Sequence, residues 1–229
     1  MSIDFEMTAE QKKLKYQVRE FAQEVVKPCA ERGDAATDPQ EAFVAMKPAF
    51  EEAYKFGLPI SFLPKEYGGG GMSNVDLMIA AEELCAVDPG FPTIVLVNGL
   101  ALMPLTWFGS EEQRRKWIGQ ACGGKHDYLG GWVVSERGGT ANFDHPSPNA
   151  GIQLVAEHDK ANGEYVINGE KHWPCNAGGW DLKGADTNLC IVRTDRTKGG
   201  KEGLSAILVD RGTPGIENEL IDKIGHRTC

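Results

Sequence analysis

Positive charge is scarce in this chain of 229 residues and nowhere gathers: 24 Lys and Arg stand against 33 Asp and Glu, for a net charge of −9, and the longest basic run is Arg114 to Lys116. That distribution gives no electrostatic footprint for nucleic acid. Cysteine occurs six times, at Cys29, Cys85, Cys122, Cys175, Cys190 and Cys229, without a Cys-x-x-Cys spacing or a histidine at zinc-ligand distance. Neither a metal site nor a disulfide framework follows from such a scatter. Reduced thiols fit a cytoplasmic location. Residues Met1 to Glu6 are acidic where a signal peptide needs positive charge, and no apolar core follows them. No apolar run approaches the roughly 20 residues that cross a bilayer, so membrane insertion is not expected.

Phosphate-binding and hydrolytic signatures are also incomplete. Gly119 to Lys125 carries the Gly-x-x-x-x-Gly-Lys half of a phosphate loop, but His126 stands where Ser or Thr is needed. A helical pattern precedes it and a strand pattern follows, the reverse of the required context. Gly68 to Gly71 lacks both a leading strand and the spacing of a dinucleotide fingerprint, and reads as a loop after Pro64 to Tyr67. The acidic pairs Glu51-Glu52, Glu82-Glu83 and Glu111-Glu112 fall where solvated helix faces place them. The five histidines have no serine or cysteine partner that identifies a triad. No internal repeat or low-complexity tract is present.

What is present is ordinary globular composition, enough for one large core or two modest ones. Thr8 to Gln11 has a capping-box pattern, followed by Leu14, Val18, Phe21, Ala22, Val25 and Val26 at helical spacing. This helix is expected to end near Pro28. Asp38-Pro39 opens a second helix whose stripe of Phe43, Met46, Phe50, Ala53 and Tyr54 stops at Gly57. Ser73 and Ser110 open two more, with a more apolar segment from Thr93 to Trp107 between them. From Tyr128 the pattern changes to short β-rich runs: Tyr128–Val134, Ile152–Ala156, Tyr165–Ile167, Lys171–Trp173, Leu189–Val192 and Leu204–Val209. Asn162-Gly163 and Asn168-Gly169 are turn dipeptides for hairpins, which predicts a meander from Ile152 through Trp173. The chain is therefore read as α+β, an all-α helical bundle at 1–126 followed by an antiparallel β-barrel at 127–229, joined near Gly123 to His126.

Two segments carry chemistry. Trp132 to Asn142 runs an apolar strand into a loop of small and hydroxyl-bearing residues, and Gly169 to Trp180 joins a strand entry to a large aromatic and short polar side chains. A bound flavin needs hydroxyl and backbone donors at its ring, an aromatic wall, and small residues beside its pyrophosphate. Taken singly, each segment reads first as core tryptophans, with Ser135 and Thr140 capping turns. Together, in this order and behind a helical half, they read as one flavin pocket.

Ser135 to Asn142 (Ser-Glu-x-x-Gly-Thr-Ala-Asn) and Trp173 to Asp186 resemble the flavin-binding middle domain of the acyl-CoA dehydrogenase superfamily, and most of all its nitroalkane oxidase branch. The resemblance covers essentially the whole chain and includes the Pro64 to Gly69 turn. It implies FAD as cofactor, bound at Trp132, Val133, Val134, Ser135, Gly139, Thr140, Ala141, Trp173, Pro174 and Cys175, with Thr140 also facing substrate. In that pattern Ser135 donates to the pyrimidine side of the ring, Gly139-Thr140 lies by the pyrophosphate, and Cys175 approaches N5. Arg137 departs from the proline usual after Ser/Thr-Glu. Cys175 replaces a hydroxyl with a weaker donor.

The resemblance implies a C-terminal helical bundle bearing the catalytic carboxylate, and that bundle and the last barrel strand are expected to lie outside this sequence. The base is therefore expected outside these residues. A fragment of a longer chain, or half of a split enzyme completed by a partner polypeptide, is expected rather than a stand-alone enzyme, and a homo- or hetero-oligomer is expected. The implied reaction is α,β-dehydrogenation of an acyl-CoA thioester, with an electron-acceptor protein as a further partner. The alternatives are a nitroalkane oxidase-like flavin oxidase acting on another small carbon acid, and a non-catalytic subunit or binding module of the same fold.

Overall fold

Local capping chemistry sets where the helices begin. The computed structural model of the chain describes residues 6–138 and 140–229. The chain forms two compact units, one of 1–128 with 220–229 and one of 129–219. In the first unit the Thr8 hydroxyl and the Gln11 side chain cap each other's amides in a complete capping box, opening α1 (Ala9–Phe21). The helix does not end near Pro28 as expected. A π-helical stretch at Ala22–Val26 leads directly into α2 (Lys27–Ala35). Its wider backbone pairing, with the Lys27 amide donating to Ala22, accommodates the donor that Pro28 lacks.

Asp38 accepts from the Gln40 and Glu41 amides and opens α3 (Pro39–Val44), and Pro48 then divides the expected single helix into α3 and α4 (Lys47–Lys55). Phe43, Met46, Phe50, Ala53 and Tyr54 are all buried, so the apolar stripe survives the break. Gly57, at φ +73°, turns the chain out of α4. Ser73 caps α5 (Asn74–Cys85), and Ser110 caps α7 (Glu111–Gln113), which passes through a π-helical stretch at Arg114–Ile118 into α8 (Gly119–Cys122).

Between them lies α6 (Gly90–Phe108), 19 residues without a charged side chain. By length and composition alone it is long and apolar enough to cross a membrane, which corrects the expectation that no such run exists. The prolines and glycines that punctuate it hid its length in the sequence, and Pro104 sits inside the helix. Phe91, Ile94, Val95, Ala101 and Leu102 are buried, so this face forms the core of the first unit. Leu100 and Trp107, two turns apart on another face, are exposed.

Glu83 also departs from expectation. It is not solvated: only 5% exposed, it receives Arg19 Nε at 2.7 Å and Nη2 at 3.0 Å, with Lys15 Nζ at 3.3 Å, and so ties α1 to α5. Hydrogen bonding from Arg19 holds its carboxyl below the ordinary 4.5, against the opposing effect of burial. A carboxyl depressed in the folded state contributes stability that is fully present above pH 4.5 and is lost as pH falls through the depressed value. Thermal melts of Glu83→Gln should therefore show a lower Tm at pH 7, and a gap to wild type that closes on acidification. A gap independent of pH would contradict this role.

The second unit is a five-stranded mixed sheet of β1 (Gly130–Val133), β2 (Val155–Asp159), β3 (Glu164–Asn168), β4 (Thr187–Arg193) and β5 (Leu204–Asp210). It is α+β with the helical unit, but the sheet is not the antiparallel barrel expected. β1 runs parallel to β4, with Gly130 opposite Thr187 and Val133 opposite Cys190. β2 meets the end of the same strand in parallel at Val155 and Arg193. β5 pairs antiparallel along the other edge of β4, and β3 antiparallel with β2. The long connection from β1 to β4 permits the parallel pairing, which a two-residue hairpin cannot. β4 is buried along nearly its whole length, as a central strand should be. Val133, Leu154, Ala156, Ala177, Cys190 and Val192 form the core, with Ile167, Ile207 and Val209 against it.

The β2–β3 hairpin closes through four residues, Lys160 to Gly163, rather than the two-residue turn its Asn-Gly dipeptide predicts. Asp159 accepts from the amides of Ala161 and Asn162, and only Gly163 takes a positive φ. Lys171–Trp173 is not a strand. Its φ of +60° at Trp173 turns the chain out of extended geometry, so the meander stops at Asn168.

The last residues return to the helical unit. Thr228, 2% exposed, donates to Asp88 at 2.9 Å, while Arg227 donates to the carbonyls of Asp34 and Ala36. A Cβ at Gly90 would come within 2.1 Å of the Thr228 hydroxyl, so a glycine is what lets this end seat there.

Candidate functional site

The end of β1 and the coil after β3 converge in the second unit. Past Val133 the chain leaves the sheet, and the Ser135 carbonyl accepts from the His172 amide at 2.8 Å, joining the two sequence segments directly. The Thr140 hydroxyl accepts from the Glu136 amide at 3.2 Å. Ser135, Glu136, Arg137, Gly138, Thr140, Ala141 and Trp173 line a cleft of about 380 Å³.

Trp173 is the unusual member. Its backbone is left-handed, uncommon for a bulky residue and typically costing about 1–3 kcal/mol, and its side chain is 59% exposed. A large aromatic held at such a cost with most of its surface in water is not serving as core. The segment behind it is firmly built. Asn176 donates to the Gly130 carbonyl and Asn188 to that of Ala177, while Arg211 donates from Nη2 to both carboxylate oxygens of Asp181, at 2.8 and 2.7 Å. The loop from Pro174 to Ala185 is thereby pinned to the sheet.

Two residues that sequence reasoning passed over hold the cleft together. Lys171 Nζ lies 2.8 Å from Glu136 Oε1, with side chains 5% and 9% exposed. Glu136 also accepts from the amides of Gln153 at 2.7 Å and Leu154 at 2.9 Å, and Lys171 donates to the Val134 carbonyl at 2.8 Å. Burial pushes the Lys171 ammonium below its ordinary value, and Glu136 works against that shift. The pair joins the first segment, the second segment and the approach to β2. Its only signal in the sequence is position: Glu136 follows Ser135, and Lys171 stands two residues before Trp173.

Of the ten positions implied for the cofactor, Ser135, Thr140, Ala141 and Trp173 come together in the cleft. Gly139 lies outside the described residues. Val133 belongs to the sheet core, Val134 is buried, and Trp132, Pro174 and Cys175 are partly buried outside the cleft's lining. Burial pushes the Cys190 thiol up to about 11, which leaves it a packing residue rather than a nucleophile. No cluster of three metal-ligating side chains occurs among the described residues.

The cleft suits a flavin. The Ser135 hydroxyl makes no hydrogen bond among the described residues, Thr140 accepts but keeps its proton to donate, Gly138 and Ala141 leave room for close approach, and Trp173 offers an open aromatic face.

An α-helical unit followed by a mixed sheet whose first strand opens into such a cleft is the architecture of a known class of oxidoreductases. Residues 8–125 match the acyl-CoA dehydrogenase N-terminal domain, and the chain belongs to the acyl-CoA dehydrogenase family. It is 33% identical to the nitroalkane oxidase of Fusarium oxysporum over 86% of this chain and 44% of that protein. It is also 33% identical to the short-chain specific acyl-CoA dehydrogenase of Clostridium acetobutylicum, over 98% of this chain and 54% of that one. A solved structure of the flavoprotein nitroalkane oxidase superposes with a TM-score of 0.81 at 31% identity, covering 91% of this chain and 50% of that one. The chain thus spans about half the length of the relatives it matches.

Proposed function

We propose that this chain is the N-terminal part of an FAD-dependent oxidoreductase that oxidises acyl-CoA thioesters by α,β-dehydrogenation. The observation that carries the reading is the exposed Trp173 indole, fixed by a left-handed backbone in one cleft with the donors of Ser135 and Thr140. When bound, FAD accepts a hydride from a carbon whose neighbour has given up a proton. Ser135 would donate to a ring carbonyl, Thr140 to a phosphate or substrate oxygen, and Trp173 would wall the ring and exclude water. The proton must go to a base, and the cleft's own carboxylate is unsuited to that task. Glu136 already receives Lys171 and two amides. We therefore place the base outside the residues lining this cleft.

Nitroalkane oxidation is the second reading, favoured by the Trp173 to Asp186 motif and by the likeness to the Fusarium oxysporum enzyme. It needs the same proton removal from a carbon acid without coenzyme A. Stopped-flow reduction of the flavin-loaded polypeptide containing these residues, with acyl-CoA thioesters in one arm and nitroethane in the other, separates the two. Reduction by neither substrate would oppose both.

Trp173→Ala should weaken FAD retention roughly tenfold, the loss of one aromatic stacking contact. Equal flavin content in variant and wild type after exhaustive dialysis would remove Trp173 from the site.

A further inference from the structure

In extended backbone, successive side chains point to opposite faces. The left-handed φ of +60° at Trp173 breaks that alternation and brings the indole back beside its neighbour in sequence. The His172 imidazole and the Trp173 indole have ring centroids 5.5 Å apart and planes inclined by 49°, within the usual range of aromatic pairs. Among the described residues no other ring touches this indole, and no hydrogen bond holds it. The two partners differ in exposure: the His172 side chain is 13% exposed, whereas Trp173 is 59% exposed. One ring is packed, and the other stands on it in water.

His172 is itself fixed through its backbone. Its amide donates to the Ser135 carbonyl at 2.8 Å, and the preceding residue, Lys171, is tied through Nζ to Glu136 and to the Val134 carbonyl. Glu170 Oε2 lies 3.5 Å from His172 Nε2, but the Glu170 side chain is 85% exposed, and so exposed a contact contributes little. A ring mostly out of water, on backbone anchored to the exit of β1, has few rotamers open to it. An exposed indole without such a support is free to change rotamer, and a ligand stacking on it must then freeze it at a cost in affinity.

We propose that His172 is a positioning residue for this cleft: its imidazole is the platform that holds the Trp173 indole across it, so that the aromatic wall is set before a ligand arrives. This rests on the proposed function only in taking a flavin ring as the ligand; the platform itself belongs to the unliganded chain. It also gives the strained backbone at Trp173 a purpose, because the left-handed turn is what puts the two rings side by side.

The test begins with the unliganded, isotopically labelled 229-residue chain, in which the Trp173 indole resonance is the one that Trp173→Ala removes. The order parameter of that indole N–H should approach the about 0.85 of rigid backbone in wild type and fall below about 0.6 in His172→Ala. His172→Leu, which keeps buried bulk without a ring, should stay folded and also lose order. His172→Phe should retain most of it, and Glu170→Gln should leave it unchanged. Riboflavin titration of His172→Ala, Trp173→Ala and the double variant against wild type then closes a double-mutant cycle. His172→Ala should weaken riboflavin roughly twofold to tenfold, the cost of ordering one side chain, and should have no further effect once Trp173 is alanine. If indole order falls in the His172 variants while riboflavin binds none of the proteins, the flavin reading fails and the platform stands. Indole order equal to wild type in both His172→Ala and His172→Leu overturns the proposal. So does a loss of riboflavin affinity that persists undiminished in the Trp173→Ala background, since His172 would then act by another route.

Discussion

Lys171→Met is expected to lower the unfolding free energy of the sheet unit by about 3–5 kcal/mol, the usual consequence of removing one partner from a buried ion pair. The substitution keeps the stem's volume and apolar packing but leaves the Glu136 carboxylate, 9% exposed, with only the amides of Gln153 and Leu154. It also strips the Val134 carbonyl of its 2.8 Å donor. Those losses fall where the chain leaves β1, so the cleft residues from Ser135 to Arg137 should loosen with them. The double variant Glu136→Leu/Lys171→Met should recover part of the loss, since two apolar side chains replace an unpaired charge. Recovery stays incomplete because the two amides then lack an acceptor. Urea unfolding of wild type, Glu136→Leu, Lys171→Met and the double variant measures the coupling. A single-variant loss below about 1 kcal/mol, the value of an exposed pair, would show that this one is not a structural clasp.

Arg193→Met should be comparably damaging. Arg193 is 2% exposed and sits at the end of β4, donating from Nε to Ile152 at 2.8 Å, from Nη1 to Lys198 at 2.6 Å and from Nη2 to Ala150 at 3.2 Å, all backbone carbonyls. A planar fork reaching three carbonyls in two separate loops is a shape that only arginine provides. Methionine fills much of the space but orphans the acceptors, at about 1–3 kcal/mol for each that stays buried. We expect a net loss of about 3–5 kcal/mol. Arg193→Lys, keeping the charge but not the fork, should lose most of the same stability. Gly203 faces the same group, and a Cβ there would lie 2.7 Å from Nη1, so Gly203→Ala should perturb the fork from the other side. Chemical denaturation reads all three. A lysine variant with wild-type stability would mean that charge alone, rather than the fork, is what the site needs.

Helix starts were legible because caps are local: Thr8, Asp38, Ser73 and Ser110 each bond amides within three residues of themselves. Strand existence from Gly130 onward was legible for a similar reason, since β-branched runs between turn residues advertise themselves. Strand direction was not. The parallel pairing of β1 with β4 depends on a long connection, and no residue in either strand encodes it. Lys171 to Trp173 looked extended by composition, but the left-handed φ at Trp173 is imposed by its surroundings against the residue's own preference.

The cleft was half legible. Ser135, Thr140, Ala141 and Trp173 stood out as hydroxyl, small and aromatic residues in a flavin-like order, and the fold gathers them. The Glu136–Lys171 pair was invisible as such, because partners far apart in sequence look like two solvated charges until burial is known. The Glu83 bridge to Arg19 is hidden in the sequence for the same reason.

Whether the cleft is a flavin site is tested most directly by titrating the isotopically labelled 229-residue chain with riboflavin while recording its amide and indole NMR spectrum. Shifts should concentrate at the Trp173 indole and the amides of Ser135, Thr140 and Ala141, with the β2–β3 hairpin unaffected. Spectra unchanged at saturating riboflavin, or shifts clustered away from these four residues, would contradict a flavin site in the cleft.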